Sequence, residues 1–337
     1  MLRLPRFRVL FPAEYDEAAE LLAELGAGEL DRARGTPSLR VMLVAGGTDL
    51  FPNMKRRQFT PETLVSLARV RDASRIAANG RLEIAAGATL SQVAAHPRVR
   101  ERYAALAEAA GLVSTPQLRN MGTIGGNICL DTRCNWYDQS LFWRTAEGFC
   151  MKTHPDVVCR VATSSPRCLA VASADTVPAL LALGAEVRFA TAGGTRSLPL
   201  AELYREDGIR PTTVGLDHVL TSVTLPDAAG WRSTYLKLRD RNSFDFPIAG
   251  VAAAVRWDGA TVAEARVAIT ALASRPVLVD AAADALRGTR LEPDAVAAAA
   301  DAVHRAARPM DNTSGTIPQR KVASRVLTER AIAALRA

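Results

Sequence analysis

The chain has 337 residues, of which 48% are hydrophobic and 23% are charged, and its formal net charge is +7. This length accommodates two or three domains with a substantial core, and the composition is that of an ordinary globular protein. No apolar run approaches the ~20 residues needed to span a bilayer, and the basic N-terminal stretch lacks the apolar region of an export signal. We therefore expect a cytoplasmic protein without a membrane partner.

The basic side chains are spread along the chain from Arg3 to Arg336. They form neither a lysine-rich run nor a basic helix with interleaved aromatic residues, so we expect no nucleic-acid partner. The positive charge fits an ordinary basic surface. It also fits a surface that attracts an acidic protein partner over long range. Composition leaves both interpretations open.

The apolar periodicity predicts mixed helix and strand structure in the first two thirds of the chain. Predicted helices cover residues 13–26, residues 90–110 with a break near His96-Pro97, and residues 175–183. Predicted strands cover residues 39–45, 63–67, 82–86, 185–190 and 219–225.

The character of the sequence changes after Trp231. Three predicted strands are followed by three alanine-rich predicted helices, at residues 233–238, 248–257, 262–271, 276–286, 293–307 and 319–336. Strands followed by helices, rather than strict alternation, favour an α+β fold over a doubly wound parallel sheet. We predict three units, at residues 1–60, 61–228 and 229–337.

Two glycine loops, VAGGTDL at residues 44–50 and GTIGGN at residues 122–127, each contain a threonine. Paired glycines allow backbone N–H groups to approach a ligand closely, and a threonine hydroxyl can donate to a phosphate oxygen. Neither loop has the GxGxxG or P-loop pattern. Each loop alone is typical of a simple turn, whereas the two together also fit a pyrophosphate held from both sides.

All five cysteines lie within one segment: Cys129, Cys134, Cys150, Cys159 and Cys168. A reducing cytosol disfavours disulfides, and the spacing matches neither a zinc ribbon nor the common ferredoxins. Spacing alone leaves buried thiols and metal ligands equally open. Aromatic residues between Cys134 and Cys150 could exclude water from an iron–sulfur cluster, and four thiolates on iron would stabilise a segment without regular pattern. The fifth cysteine, Cys129, has strand-like neighbours, and we expect it to be buried and inert.

Three stretches, AGGTDL, TPQLRNMGTIGGNI and ADTVPALLALGAEV, together resemble the FAD-binding medium subunits of the xanthine oxidase and carbon monoxide dehydrogenase family. The resemblance covers essentially the whole chain. The cysteine segment CLDTRCNWYDQSLFWR…GFCMK resembles the insert of the 4-hydroxybenzoyl-CoA reductase branch of that family. The resemblance implies an α+β protein: a two-subdomain FAD-binding fold with a cluster insert at about residues 130–170, and a C-terminal α+β domain.

The resemblance also implies which residues bind each cofactor. In the family, an aspartate contacts the adenosine side of FAD, a lysine lies near the flavin, and one contact falls just upstream of the second loop. The implied FAD-binding residues are Val44, Ala45, Gly46, Gly47, Thr48, Asp49, Leu50, Val113, Thr123, Ile124, Gly125, Gly126, Asn127, Asp175 and Lys237. The implied ligands of a 4Fe–4S cluster are Cys134, Cys150, Cys159 and Cys168.

By the same resemblance, the chain is an oxidoreductase subunit that relays electrons and has no catalytic residue of its own. The complete enzyme would be a dimer of heterotrimers with a molybdenum-cofactor large subunit and a 2Fe–2S small subunit. It would reduce 4-hydroxybenzoyl-CoA to benzoyl-CoA in aromatic degradation, with electrons from ferredoxin. The four scattered histidines and the lack of a Ser-His-Asp set agree with a relay subunit, although His154 could serve as a ligand.

Two alternatives remain open. The chain could be the flavin subunit of another molybdenum hydroxylase, with electrons passing outward to NAD or quinone. It could also be a non-redox protein whose cysteines bind zinc.

Overall fold

The computed structural model describes residues 3–27, 30–31, 36–37, 39–154 and 156–336. The N-terminal elements are β1 (Arg8–Leu10), α1 (Tyr15–Glu24), β2 (Leu30–Asp31), β3 (Thr36–Pro37), β4 (Val41–Val44), α2 (Leu50–Lys55) and β5 (Thr63–Ser66). Strand β5 lies between β1 and β4 and runs parallel to both, while β2 pairs with β3. The first sheet therefore extends past residue 60, because its central strand comes from residues 63–66. Leu22 of α1 packs against Val41 and Val65 of this sheet.

The middle of the chain forms a five-stranded antiparallel sheet with helices beside it. Its elements are β6 (Ile76–Asn79), β7 (Arg81–Ala85), α3 (Leu90–Ala95), α4 (Pro97–Arg102), α5 (Ala104–Leu112), α6 (Pro116–Arg119), α7 (Ile124–Ile128), α8 (Leu141–Glu147), α9 (Thr176–Ala182), β8 (Glu186–Thr191), β9 (Gly194–Pro199) and β10 (Val219–Leu225). The strand order is β6-β7-β10-β8-β9. Short 3-10 turns lie at Leu67–Arg69 and Leu200–Glu202. The predicted helix of residues 90–110 is broken because Pro97 forces an extended backbone at His96.

The C-terminal part consists of an antiparallel sheet followed by helices. Its elements are β11 (Trp231–Leu238), β12 (Ala249–Asp258), β13 (Thr261–Thr270), β14 (Val277–Leu278), α10 (Asp280–Leu286), α11 (Pro293–Ala306) and α12 (Ile317–Ala333). Alternation along β12 places Val251 and Val255 in the core shared with α10–α12. Ala252 and Ala254 point to the other face and pack in the core that contains α5 and α9.

This arrangement of separate sheets and helices confirms the predicted α+β class. The C-terminal sheet is covered on one face by its own helices and on the other by helices of the middle unit, so α9 and β11 meet in a shared interior. Among the described residues, no helix combines the length and apolar character needed to cross a membrane.

Candidate cofactor sites

The first glycine loop, residues 45–49, connects β4 to α2 and lies against the second loop. Gly47 has a φ of +69°, a left-handed conformation that favours glycine. A β-carbon on Gly46 would overlap the carbonyl oxygen of Met121, which directly precedes the second loop. Glycine is therefore required at residue 46 for the contact between the two loops.

The second glycine loop is fixed to the segment that follows β7. The backbone N–H groups of Ile124 and Gly125 donate to the carbonyl oxygens of Ala88 and Ala86, at 2.9 and 2.8 Å. A β-carbon on Gly125 would lie 2.7 Å from Ala86 Cβ, closer than side chains pack. Gly125 therefore faces the protein, and its missing side chain allows α7 to rest on this segment.

Gly126 is the glycine of the second loop that faces outward. It is exposed, and a β-carbon there would meet only the Thr123 hydroxyl, at 3.1 Å. The same hydroxyl accepts a hydrogen bond from the Gly126 N–H at 3.0 Å and caps α7. Thr48 lies beside Gly122, with its hydroxyl 3.4 Å from the position of a β-carbon on that glycine. The two predicted loops thus meet at one place, where Gly126 exposes backbone without a side chain and each loop carries a threonine, an arrangement that leaves room for a phosphate group.

Asn127 is buried and has a positioning contact within the protein. Its Oδ1 accepts hydrogen bonds from the Thr176 hydroxyl at 2.6 Å and from the Thr176 N–H at 3.1 Å. This contact ties the end of the second loop to the first turn of α9. It brings Asp175, the residue before α9, close in space to the second glycine loop.

Asp175 and Lys237 lie in the interior and pair with each other. The Lys237 ammonium donates to Asp175 Oδ2 at 2.9 Å, and the Tyr235 hydroxyl donates to Oδ1 at 2.8 Å. The exposed fractions of the Lys237 and Asp175 side chains are 1% and 3%. Lys237 Nζ also donates to the carbonyl oxygen of Leu112 at 3.1 Å, next to the predicted contact Val113. The structure therefore brings three of the predicted FAD-binding residues to one place.

Burial dominates the ionisation of this pair. It raises the pKa of Asp175, and the attraction of Lys237 only opposes that rise. It also lowers the pKa of Lys237, against the attraction of Asp175. Both directions indicate that the loss of hydration outweighs the attraction between the two charges. The pair fixes β11 against α9 but costs free energy to bury.

Four of the five cysteines line a single cavity formed by the chain segment that follows α7 and precedes α9. All four side chains are buried, and apolar surface from Trp136, Tyr137 and Met151 completes the lining. The four cysteines are Cys134, Cys150, Cys159 and Cys168. The cavity thus gathers the four cysteines that the resemblance implies as a ligand set.

Burial raises the pKa of the Cys134 thiol to about 12 and that of the Cys168 thiol to about 11. The neighbouring Cys150 adds to both increases, while backbone N–H groups that face each sulfur oppose them. A thiolate, rather than a thiol, binds metal, so uptake of metal in this cavity would release protons.

Arg133 fixes the cysteine segment, and the sequence analysis missed it. Its backbone exchanges hydrogen bonds of 2.8 and 2.7 Å with Val171, which places Cys134 near the chain that continues from Cys168. Its guanidinium forms an ion pair with Asp49 of the first glycine loop. The available signal was a basic residue directly beside a cysteine that the resemblance implies as a ligand.

Lys152 is a second missed residue of the same kind. It follows Cys150 by two positions, its side chain is buried, and it lines the cavity with the four cysteines. A lysine is almost never buried unless it is paired, so its position here indicates a specific role.

Cys129 and His154 lie outside the cavity lining. Cys129 is exposed as a residue, but burial around its sulfur raises the pKa of the thiol to about 12, so the structure agrees with an inert thiol and departs from the expected full burial. The predicted strand at this position is instead the end of α7, because Thr123 caps a helical turn at the glycine pair. His154 stacks on Phe149 with ring centroids 4.1 Å apart. In the part of the chain that the structure describes, no group of three or more His, Cys, Asp or Glu side chains is placed to hold a metal ion.

The α+β fold with two adjoining glycine loops defines a protein that binds a nucleotide cofactor. Residues 5–228 match the family described as the FAD binding domain in molybdopterin dehydrogenase. Residues 233–335 match the CO dehydrogenase flavoprotein C-terminal domain. The chain therefore belongs to the FAD-binding subunits of the molybdenum hydroxylase family, which confirms the family resemblance and the predicted FAD.

Individual relatives and solved structures agree with this assignment. The FAD-binding subunit PaoB of an aldehyde oxidoreductase from Escherichia coli (strain K12) is 34% identical over 71% of this chain and 77% of its own length. The carbon monoxide dehydrogenase medium chain of Hydrogenophaga pseudoflava is 28% identical over 97% of this chain and 96% of its own. A structure of carbon monoxide dehydrogenase from Hydrogenophaga pseudoflava superimposes with a TM-score of 0.78 at 27% identity, covering 98% of both chains.

Proposed function

We propose that the chain relays electrons between FAD and a 4Fe–4S cluster, within a molybdenum enzyme of the cytoplasm. The observation that carries the proposal is the single cavity lined by all four predicted ligands, Cys134, Cys150, Cys159 and Cys168. Four thiolates are the usual ligands of such a cluster, and the aromatic lining keeps water away from it. Backbone N–H groups that face Cys134 and Cys168 supply the hydrogen bonds that tune a cluster.

A cluster and a single zinc ion make different demands on the four cysteines. A tetrahedral zinc with Zn–S bonds of about 2.3 Å holds its sulfurs within about 4 Å of one another. A cluster places iron and sulfide between the thiolates, so its ligands stay farther apart. Four thiols line the one cavity, and the metal content of the purified protein distinguishes the two centres.

The FAD is proposed to lie with its pyrophosphate against the two glycine loops. The bare backbone at Gly126 and the hydroxyls of Thr48 and Thr123 support this placement. The contact of Asp175 with the adenosine side and the closeness of Lys237 to the flavin stay predictions. Because Asp175 and Lys237 form an ion pair, contact of FAD with one of them would also affect the other.

Substrate chemistry is proposed to occur on a molybdenum-cofactor large subunit, with a 2Fe–2S small subunit completing the relay. The relatives support an assembly because they are named as FAD-binding subunits and medium chains. The cysteine segment supports the reductive branch, in which ferredoxin supplies electrons for conversion of 4-hydroxybenzoyl-CoA to benzoyl-CoA.

A second candidate is an aldehyde-oxidising complex, in which electrons leave the flavin for an external acceptor. The observation that favours it is the 34% identity to the FAD-binding subunit of an aldehyde oxidoreductase. The two candidates share the FAD and the cluster and differ in the direction of electron flow.

Purification of the chain with its co-expressed partner subunits tests the cofactor content of the chain and the choice between the two candidate functions. Iron and flavin analysis of the isolated chain should give about four iron atoms and one FAD, with a cluster signal in low-temperature EPR after reduction. Colourless protein with one zinc would overturn the relay. Dehydroxylation of 4-hydroxybenzoyl-CoA with reduced ferredoxin would support the reductive branch, whereas aldehyde oxidation without it would support the second candidate.

A further inference from the structure

A buried ammonium group lies at the cysteine cavity, and the relay described so far gives it no role. Lys152 Nζ donates to Asp131 Oδ1 at 2.8 Å, to the Thr132 hydroxyl at 2.6 Å and to the Gly208 carbonyl oxygen at 2.6 Å. It also lies 4.9 Å from the ring centroid of Tyr137, over the ring face. Its three N–H groups are thus fully used, and the aromatic ring covers its remaining side.

Two of these neighbours place the ammonium close to the sulfur atoms. The backbone of Gly208 donates to the carbonyl oxygen of Cys168 at 2.7 Å, and a β-carbon on Gly208 would lie 2.7 Å from Cys168 Sγ. Tyr137 donates its backbone N–H to the carbonyl oxygen of Cys134 at 2.9 Å. Lys152 contacts both Gly208 and Tyr137, and it lines the same cavity as these two cysteines.

The other charged side chains near the cavity differ from Lys152 in their exposure or in their ion-pair partners. Asp131 is the carboxylate paired with Lys152, and its side chain is 29% exposed. Arg133 is paired with Asp49 and lies 3.6 Å from Asp138. Arg160 also lines the cavity, but it is only half-buried and its guanidinium donates to backbone carbonyl oxygens at the rim. Of the two cations that line the cavity, Lys152 is more deeply buried than Arg160, so water screens its charge less. Arg144 is also buried but lies outside the lining.

We propose that Lys152 sets the reduction potential of the cluster held by these cysteines, an inference that rests on the proposed function. Four thiolates give a bound cluster a net negative charge, and one-electron reduction makes that charge more negative by one. A fixed positive charge in a poorly hydrated site stabilises the reduced form more than the oxidised form. Lys152 thus raises the potential, and Asp131 partly opposes it.

The test is a redox titration at fixed pH, monitored by low-temperature EPR, on the full chain with its partner subunits. In Lys152→Met, the equilibrium constant for one-electron reduction should fall about tenfold, which is a potential lower by about 59 mV. In Asp131→Asn, the potential should move the opposite way, because the opposing carboxylate is lost. Lys152→Arg, which keeps the charge, should stay near the wild-type potential. Arg160→Met is the matched control and should shift less, since its charge is half-exposed.

Opposite shifts in Lys152→Met and Asp131→Asn would support the proposal, because a purely structural role would not reverse sign. Shifts of the same sign, or none in either variant, would overturn it while the cluster itself stands. If Lys152→Met fails to retain iron, Asp131→Asn decides alone: a higher potential supports the proposal, and an equal or lower one overturns it. Wild-type protein without a cluster would overturn the proposed function and this inference together.

Discussion

Arg133 and Asp49 form an ion pair that joins the cysteine segment to the first glycine loop. The Arg133 side chain is 8% exposed, and its guanidinium also lies 4.9 Å from the ring centroid of Phe246. Asp49 is further held by the Asn53 side-chain amide, which donates to it at 3.0 Å. Since Cys134 directly follows Arg133, a displacement of the loop and a displacement of the cysteine are mechanically linked. The two proposed cofactor sites therefore share one polar contact.

Arg133→Met should loosen both sites. The substitution leaves Asp49 without its cationic partner, and since that carboxylate is about a third exposed, water compensates part of the loss. We expect a decrease of about 1–3 kcal/mol in the free energy of unfolding, together with less FAD per chain. Urea unfolding and the flavin absorbance of purified protein measure the two effects.

Arg167→Met is the control for this prediction, since Arg167 belongs to the same segment but its side chain is exposed. Its stability should stay within about 0.5 kcal/mol of wild type, with normal flavin content. Equal flavin content in Arg133→Met and wild type would contradict the proposed link between the sites.

Gly126 offers a sharper test of FAD binding than the other loop glycines. Substitution of Gly47 or Gly125 by valine should reduce flavin content, but both glycines contact protein atoms, so misfolding of the loop could cause the same loss. Gly126→Ala adds a methyl group to the exposed surface proposed to face the pyrophosphate. It should weaken FAD binding and yet keep or raise stability by up to about 1 kcal/mol, because alanine favours the helical state of α7. Fluorescence titration with FAD and thermal unfolding measure these opposite effects.

An exposed glycine away from the loops provides the comparison. Gly193→Ala lies in the turn between β8 and β9, where a β-carbon meets only the Thr191 hydroxyl at 3.9 Å, and FAD affinity should not change. Unchanged FAD affinity in Gly126→Ala as well would show that this surface does not face the cofactor.

Local patterns in the sequence predicted most of the regular elements. Strand β10 occupies the predicted residues 219–225, because its apolar alternation and the following Pro226 define both its character and its end. The predicted helix at residues 276–286 begins later, at Asp280, because Val277 and Leu278 pair with β13. That pairing depends on a distant strand, which local propensity does not contain.

The candidate sites also contain some residues that local sequence indicates and others that only the fold brings together. The glycine loops and the four cysteines carry signals in residue type and spacing, so sequence located them. Arg133 and Lys152 act through partners far away in the chain, Asp49 and Gly208, and only the fold brings these together. The strand-like setting predicted for Cys129 is wrong: its apolar neighbours resemble a strand, whereas the Thr123 cap begins a helical turn that ends at Cys129.

The buried pair of Asp175 and Lys237 should respond unequally to single and double substitution. Lys237→Met leaves a carboxylate in the interior without its cation, which typically costs about 3–5 kcal/mol. Because burial outweighs attraction for both groups, the variant Asp175→Asn with Lys237→Met should lose less stability than Lys237→Met alone. Urea unfolding of the four proteins in this cycle measures the coupling. A double variant at least as unstable as Lys237→Met would contradict the argument.

The same four proteins also test the predicted contacts with FAD. If Asp175 or Lys237 contacts the cofactor, the double variant should still bind FAD weakly after its stability recovers. Affinity that returns with stability would show that the pair acts only by holding β11 against α9.

Electron delivery by an acidic ferredoxin should depend on salt. The chain carries a net charge of +7, and long-range attraction of this kind accelerates encounter. The Debye length is about 10 Å at 0.1 M and contracts as salt rises, so the rate of reduction should fall between roughly 0.05 and 0.5 M salt. Stopped-flow reduction by ferredoxin measures the rate, and reduction by uncharged deazaflavin and light is the control. A rate of reduction by ferredoxin that does not change with salt would contradict steering by the basic surface.

Serine substitution of each cysteine tests the ligand set directly. A serine hydroxyl replaces a thiolate poorly on iron, so the variants at the four cavity positions should lose or degrade the cluster. FAD should largely remain, because Gly126 and the rest of the second loop lie outside the cavity lining. Cys129→Ser is the matched control: Cys129 lies outside the cavity lining, so iron content should be normal. Iron per flavin and the EPR signal after reduction, measured on all five variants, decide the assignment. Loss of the signal in Cys129→Ser, with the signal intact in any of Cys134→Ser, Cys150→Ser, Cys159→Ser or Cys168→Ser, would show that the proposed ligand set is wrong.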